Sequence, residues 1–369
     1  MNTRILGASL MVAGTSIGGG MLTLPTMAAK MGYSLTLCAF VVYWGIMYLS
    51  ARNMMTCTLA SPPKSHFLSM SFQSLGFWGM CITGIIYLAL LLCLNAVYLN
   101  GLTQVFHLDQ AQPLLGLTFI ALLFSLIMII GYRCIDWANR GLMILMVASF
   151  ILLALILTSV FDPKNLIAQN LSLSSAISYP CLQLMITSLG YQIIIPSIAQ
   201  YVQYQRKALH QSILIGSCIT LLVYIIWISL VMAYIPQDTI LSWDHQIITH
   251  LIEAMPRFAA LSSIFSTTAI ATSFLGVTLC LLDFTTDGLK RLNIPRAYLA
   301  LIINIPAIIM VYFGFQFING LAIAGSFVAM LLILLPAVLA WQHTSKHINT
   351  LLIAFALWVA FNSVSGGLL

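Results

Sequence analysis

Gly14-Thr15-Ser16-Ile17-Gly18-Gly19-Gly20, with Pro25 just beyond, interrupts the first long apolar stretch of a 369-residue chain. A glycine costs about 1 kcal/mol against alanine inside a helix, so this cluster predicts a break at mid-membrane depth. In hydrocarbon, unpaired backbone N–H and C=O groups persist only inside protein or along a cavity. Half-helix N-termini suit a carboxylate. Unwound carbonyls and the hydroxyls of Thr15, Ser16, Thr187 and Ser188 suit an ammonium group or a small cation. Thr187-Ser188-Leu189-Gly190-Tyr191, followed by Pro196, repeats the pattern in a later apolar run. Paired breaks of this kind point to a binding site at the membrane midplane. An amino acid, anionic at one end and cationic at the other, matches such a site.

Ionisable residues inside a membrane are candidates for function by default. Asp283 is the deepest carboxylate, and Arg140 or Lys290 is its expected partner, as a cytoplasmic gate, a proton relay or, more simply, a structural ion pair. Asp136 and Arg140, four residues apart, brace the turn before a span or share in gating. Arg52 reads as a side chain snorkelling to the interface. Thr272 and Ser273, with carbonyls of the first break, form an alternative site of oxygen ligands for sodium. Tyr98 and Tyr191 are candidates for contact with a ligand, set against the ordinary packing role of tyrosines. There is no H-E-x-x-H run, no C-x-x-C pair and no G-x-x-x-x-G-K-[ST] loop, which argues against a metalloenzyme or an ATP-driven pump. The eight cysteines are scattered singly and read as small packing residues. No cofactor or metal is implied.

The elements that position these residues follow from composition. Hydrophobic residues make up 61% of the chain and charged residues 6%, a balance that excludes a soluble globular domain. Runs of about 20 apolar residues place about eleven spans: 4–30, 33–56, 78–104, 113–131, 141–161, 179–203, 211–235, 258–284, 296–315, 319–341 and 349–368. Segment 236–257, with Trp243, His245, His250 and Glu253, reads as a short helix lying on the membrane surface. Basic residues orient the chain. With the N-terminus cytoplasmic, Arg4, Arg52, Lys64, Arg133, Arg140, Arg206, Lys207, Lys290, Arg291, Arg296 and Lys346 fall inside, against Lys30, Lys164 and Arg257 outside. An odd span count then puts the C-terminus outside, and the formal charge of +6 implies no nucleic-acid partner. Broken spans 1 and 6 each open a set of five, giving an inverted repeat (1–161 and 179–341) in a single domain, with 349–368 as an extra helix.

Several of these stretches resemble the bacterial aromatic amino acid permeases, the tyrosine- and tryptophan-specific transporters. Ala13 to Pro25 is similar to the family's opening motif, and Thr187 to Ser197 to its sixth-span motif. Ser273-Phe274-Leu275-Gly276-Val277-Thr278-Leu279, with Leu282-Asp283-Phe284 and Asp287, resembles its eighth-span signature. Asp136, Asn139 and Arg140 resemble its loop between spans 4 and 5. The resemblance implies an all-α LeuT-type fold in a bacterial inner membrane. It also implies inward uptake of tyrosine, tryptophan or phenylalanine with protons. The backbone from Ser16 to Gly20 would hold the substrate carboxylate. The second break, Thr187 to Tyr191, would hold the amino group and side chain, and Asn95, Tyr98, Ser273 and Phe274 would close the pocket. One departure stands out: Arg52-Asn53-Met54-Met55-Thr56 has no carboxylate where the family carries a glutamate.

Overall fold

In the computed structural model, residues 3–63, 65–108, 113–167, 171–243, 246–289 and 293–366 are described, and every regular element among them is helical. Lys64, His245, Lys290 and Arg291 lie outside the described residues. Among the described residues, eight helices are long and apolar enough to cross a membrane, and a bent pair makes a ninth. In chain order they are Thr3–Ser16 with Gly19–Met31 (span 1), Tyr33–Ala60 (span 2), Phe67–Val105 (span 3), Pro113–Ile130 (span 4) and Tyr132–Ser159 (span 5). Cys181–Tyr201 (span 6), Arg206–Tyr234 (span 7), Pro256–Gly288 (span 8) and Phe317–Leu339 (span 10) complete the set. Arg296–Tyr312 is apolar but shorter, and Lys346–Gly366 follows span 10; they are labelled span 9 and span 11 for numbering alone. Large apolar side chains such as Ile85, Phe119, Ile144 and Leu155 point outward. That is the arrangement a lipid solvent favours, since it makes apolar exposure costless.

Both glycine- and polar-rich stretches do break their helices, and in the same order of local structures. Span 1 runs as a helix to Ser16, loosens at Ile17-Gly18, tightens into a 3₁₀ turn over Gly19–Thr23, and resumes as a helix at Leu24–Met31. Span 6 runs from Cys181 to Ser188, loosens, forms a 3₁₀ turn at Gln192–Ile194 and resumes at Ile195–Tyr201. Pro25 and Pro196 each lie in the first turn of the resumed half, where a missing N–H costs nothing. The two halves of span 1 meet at 48°.

The helices differ from expectation in five places. Span 5 starts at Tyr132 rather than 141, and so carries Asp136, Asn139 and Arg140 on the helix instead of in a turn. The helix of span 3 starts at Phe67 rather than 78 and turns sharply at Gly76, whose φ of 70° and ψ of −164° belong almost only to glycine. Nothing lies within 4 Å of where a Cβ on Gly76 would stand, so the cost of a side chain there is purely conformational. Gly76→Ala is therefore expected to destabilise the protein by about 1–3 kcal/mol. A lowered Tm in detergent is the measurement that checks it.

Segment 236–257 is not one surface helix. It forms Gln237–Leu241 and Ile247–Glu253, whose Ile240, Ile247, Ile248 and Leu251 are buried. Gln237 Nε2 donates to the Ala29 carbonyl at 2.7 Å, so the segment packs on the end of span 1. Span 9 is interrupted at Ile303-Asn304, ahead of Pro306. Asn304 Nδ2 there donates to Ser125 Oγ at 3.1 Å and to the Ala121 carbonyl of span 4 at 3.3 Å. Span 10 contains a π-helical segment, Ala329–Leu334, between helices Phe317–Val328 and Leu335–Leu339. A π turn displaces backbone carbonyls from their usual partners, and Ser50 Oγ of span 2 donates to the Leu332 carbonyl.

Candidate functional site

The two breaks face each other. A Cβ built on Gly20 would lie 3.4 Å from Ser188 Oγ, so the backbone of the first break packs directly on the second. Between them runs Tyr224 of span 7, fully buried. Its hydroxyl is shared between two carbonyls, Ser16 O at 2.6 Å and Ser188 O at 2.8 Å, the final residues of the two leading half-helices. Three residues on and on the same helix face, Trp227 Nε1 donates to the Met21 carbonyl at 3.0 Å. Tyr224 thus satisfies the two carbonyls at which the half-helices end, and Trp227 adds a second donor to the Met21 carbonyl, which also accepts the Leu24 N–H.

Span 8 approaches from the other side. The Gly19 N–H donates to Ser273 Oγ at 3.2 Å, and Ser273 Oγ in turn donates to the Ala269 carbonyl at 3.0 Å. A Cβ on Gly18 would overlap Ser273 Oγ, and one on Gly19 would lie 3.0 Å from the Tyr98 ring. Glycine is needed here for close approach: φ at Gly18 is −162°, extended backbone that any residue adopts. The N–H groups of Gly18 and Gly20 meet no acceptor among the described residues. Two unused amides therefore lie in a wall made of Tyr98, Ser188 and Ser273.

Of the candidate residues, the structure brings together Ser16, Gly18, Gly19, Gly20, Tyr98, Ser188 and Ser273. Others point elsewhere. Thr15 is exposed, with its hydroxyl bonded to the Met11 carbonyl at 2.8 Å. Gly14 faces Met143 of span 5, and Ile17 is half-buried beside the break. Phe274 turns away, packing edge-on against Phe124 of span 4 at 4.6 Å between ring centroids. Thr187 Oγ1 is shared between the carbonyls of Gln183 at 2.8 Å and Leu321 of span 10 at 3.1 Å. Gly190 packs against Val328 and Leu332 at the π segment, and Tyr191 is buried. Asn95, fully buried, donates to Thr278 Oγ1 at 2.9 Å and ties span 3 to span 8. Thr272 Oγ1 donates to the Ala269 carbonyl at 3.1 Å.

The charged candidates pair with other side chains and not with the residues of the breaks. Asp283 does not pair with Arg140, and Lys290 lies outside the described residues. Asp283 accepts from Arg296 of span 9 at 2.6 Å and from the Tyr132 hydroxyl at 3.0 Å, and the Arg296 guanidinium covers the Tyr132 ring at 4.8 Å. Arg140 is instead bound to Asp136 at 2.9 Å, one turn away on the same exposed helix face. The Asp283 and Arg296 side chains are 42% and 31% exposed, which keeps their attraction small. Asp283→Asn is therefore expected to cost less than about 1 kcal/mol of stability, read as a small change in Tm in detergent. A large loss of Tm would instead mean that this pair is a principal tie between spans 8 and 9. In the stretch that lacks a carboxylate, buried Asn53 of span 2 donates to Asn349 Oδ1 of span 11 at 2.8 Å, a neutral closure at that end of the molecule.

Sequence reasoning missed Tyr224 and Trp227. Their i, i+3 spacing is on display, but aromatic residues within an apolar run read as packing or lipid anchors until their partners are known.

Paired broken spans, cross-braced by spans 7 and 8 in an all-helical membrane bundle, define a carrier of the LeuT type. The sequence profile of the tryptophan/tyrosine permease family matches residues 1–363. The chain belongs to that family, and is a multi-pass membrane permease rather than an enzyme. It is 31% identical to the tyrosine-specific transport system 1 of Haemophilus influenzae, over 98% of this chain and 96% of that one. It is 28% identical to a tryptophan-specific transport protein of Pseudomonas aeruginosa, over 91% and 85% of the two chains. Among solved structures, MhsT in complex with L-phenylalanine superposes with a TM-score of 0.64 at 13% identity, over 98% of this chain and 97% of that one. That likeness shows the fold.

Proposed function

We propose that this permease imports aromatic amino acids, tyrosine first among them, by proton-coupled symport through alternating access. The observation that carries the reading is the pair of unused Gly18 and Gly20 amides, in a wall too tight for side chains and packed on the second break. Free N–H groups at the start of a half-helix bind a carboxylate. The Ser16 carbonyl, the Ser188 hydroxyl and the neighbouring break from Thr187 to Tyr191 serve the ammonium end and the side chain. Tyr98, stacked on Gly19, supplies the aromatic surface that a ring-bearing substrate needs. The curated relatives, named for tyrosine and tryptophan, support the substrate class.

In this reading the chain crosses a bacterial inner membrane eleven times, with its N-terminus cytoplasmic and its C-terminus outside. Residues 1–161 and 179–341 are the inverted repeats, and 349–368 the added helix. The test is uptake of labelled tyrosine into proteoliposomes under a proton gradient and, separately, a sodium gradient, with tryptophan, phenylalanine, serine and threonine as competitors. Proton-driven accumulation blocked by the aromatics is the expected result. Drive by sodium alone moves coupling to the hydroxyls of Thr272 and Ser273. Competition by serine and threonine but not by aromatics overturns the substrate assignment.

A further inference from the structure

Where span 7 begins, the protein surface opens into a cleft of about 380 Å³ lined by Arg52 and Met55 of span 2 and by Arg206, Lys207 and His210 of span 7. Arg52, Arg206 and Lys207 are exposed, and none has a carboxylate within ion-pair distance among the described residues. The ion pairs described for this chain lie on other elements, Asp136 with Arg140, Asp283 with Arg296 and Glu253 with His250. The first turn of the 29-residue helix of span 7 has no side-chain cap, so its partial positive charge adds to the same corner. A second cleft, lined by Arg4 and Gln205, flanks the other side of that turn.

The wall beside the cations is organised for more than a small anion. Trp44, Tyr48, Arg52 and Met55 fall at i, i+4, i+8 and i+11, one face of span 2. Trp44 and Tyr48 stack with ring centroids 5.6 Å apart, and the Tyr48 hydroxyl meets His210 Nε2 at 2.9 Å, joining the face to span 7. Val41, one turn beyond Trp44 on span 2, is an exposed apolar residue farther from the charges. Charge at one end, amphipathic rings next and apolar surface beyond is the order of headgroup, interface and acyl chain along a bilayer normal.

We propose that this cleft is an anionic phospholipid site. The Arg52 and Arg206 guanidiniums and the Lys207 ammonium hold a headgroup phosphodiester, and the acyl chains follow Tyr48, Trp44 and Val41. Arginine is suited to the role because its planar fork meets two phosphate oxygens at once. The site lies between span 2 and the start of span 7, so an occupant would join a helix that packs on the second break to the helix that braces both breaks. The assignment is independent of which solute the permease carries.

The test uses the full-length protein in detergent, with bound lipid read by native mass spectrometry after addition of phosphatidylglycerol or, at equal concentration, phosphatidylcholine. Native protein is expected to retain phosphatidylglycerol and not phosphatidylcholine. The variant R52Q/R206Q/K207Q is expected to bind it on the order of a hundredfold more weakly, each cation near a lipid surface contributing a comparable factor. A charge-matched variant on other elements, R133Q/K164Q/R257Q, is expected to retain the lipid as native protein does, which separates the cleft from net charge. Equal retention by the native and cleft variants overturns the proposal. Displacement of phosphatidylglycerol by inorganic phosphate at millimolar concentration overturns the lipid assignment in favour of a free-anion site.

Discussion

Gly18→Leu is expected to abolish uptake while the protein still inserts, folds and reaches the membrane in normal amount. The extended φ of −162° imposes no backbone penalty on a side chain, so the effect is one of space. The Cβ alone would collide with Ser273 Oγ, the atom that accepts the Gly19 N–H. Ser273 must move or the break must open, and either change displaces the unused amides. A displacement of about 1 Å is enough to cost on the order of a hundredfold in a positioned site. The remaining atoms of leucine then stand in the space that a carboxylate would need. A companion variant separates the cause from general damage. In Gly18→Ala the only clash is with Ser273 Oγ, the Ser273 Cβ being 3.7 Å away, so Gly18→Ala with Ser273→Ala is expected to recover part of the uptake that Gly18→Ala loses. Labelled-tyrosine uptake, normalised to inserted protein, reads all three. Normal uptake by well-expressed Gly18→Leu would remove the proposed site.

Tyr224→Phe is expected to have the second-largest effect, and to act on both stability and transport. The substitution removes a single oxygen and leaves the packing against Phe40, whose ring centroid lies 6.0 Å from that of Tyr224. It strips the Ser16 and Ser188 carbonyls of a shared donor in a fully buried position. An orphaned buried polar group costs about 1–3 kcal/mol, and here two are orphaned by one change. A drop in Tm together with at least a tenfold fall in uptake rate is the expected pair of results. Trp227→Phe removes one bond, to the Met21 carbonyl, and is expected to do less on both counts. A Tyr224→Phe protein with native Tm and native uptake would mean that the two breaks are held together by packing alone.

The sequence announced the breaks themselves because glycine and proline act locally. Gly18, Gly19, Gly20 and Gly190 weaken a helix wherever they stand, and Pro25 and Pro196 mark where it resumes. Close approach of the two breaks could be inferred from their matched positions, but not the group that ties them. Tyr224 lies 208 residues from Ser16 and 36 from Ser188, and nothing near it in the chain distinguishes it from a lipid-facing tyrosine. The same distance in sequence hid the partner of Asp283, since Arg296 comes after a turn and on the next span. The π segment was silent for the opposite reason. Ala329-Met330-Leu331-Leu332-Ile333-Leu334 is made of ordinary helix formers, and its widening is set by neighbours such as Ser50 rather than by its own residues. Gly76 was visible as a glycine, yet only its backbone angles show that it is an elbow rather than a packing residue.

The π segment of span 10 also sets how that span accommodates change. A π turn carries one residue more than the α-helix around it requires. Passing that surplus residue toward either end advances the intervening stretch by about 1.5 Å and rotates it by about 100°, with no hydrogen bond lost beyond the ones exchanged in passing. Span 10 is therefore a rod with slack stored in its middle, pinned by Thr187 at Leu321 and by Ser50 at Leu332. Its two ends need not travel together.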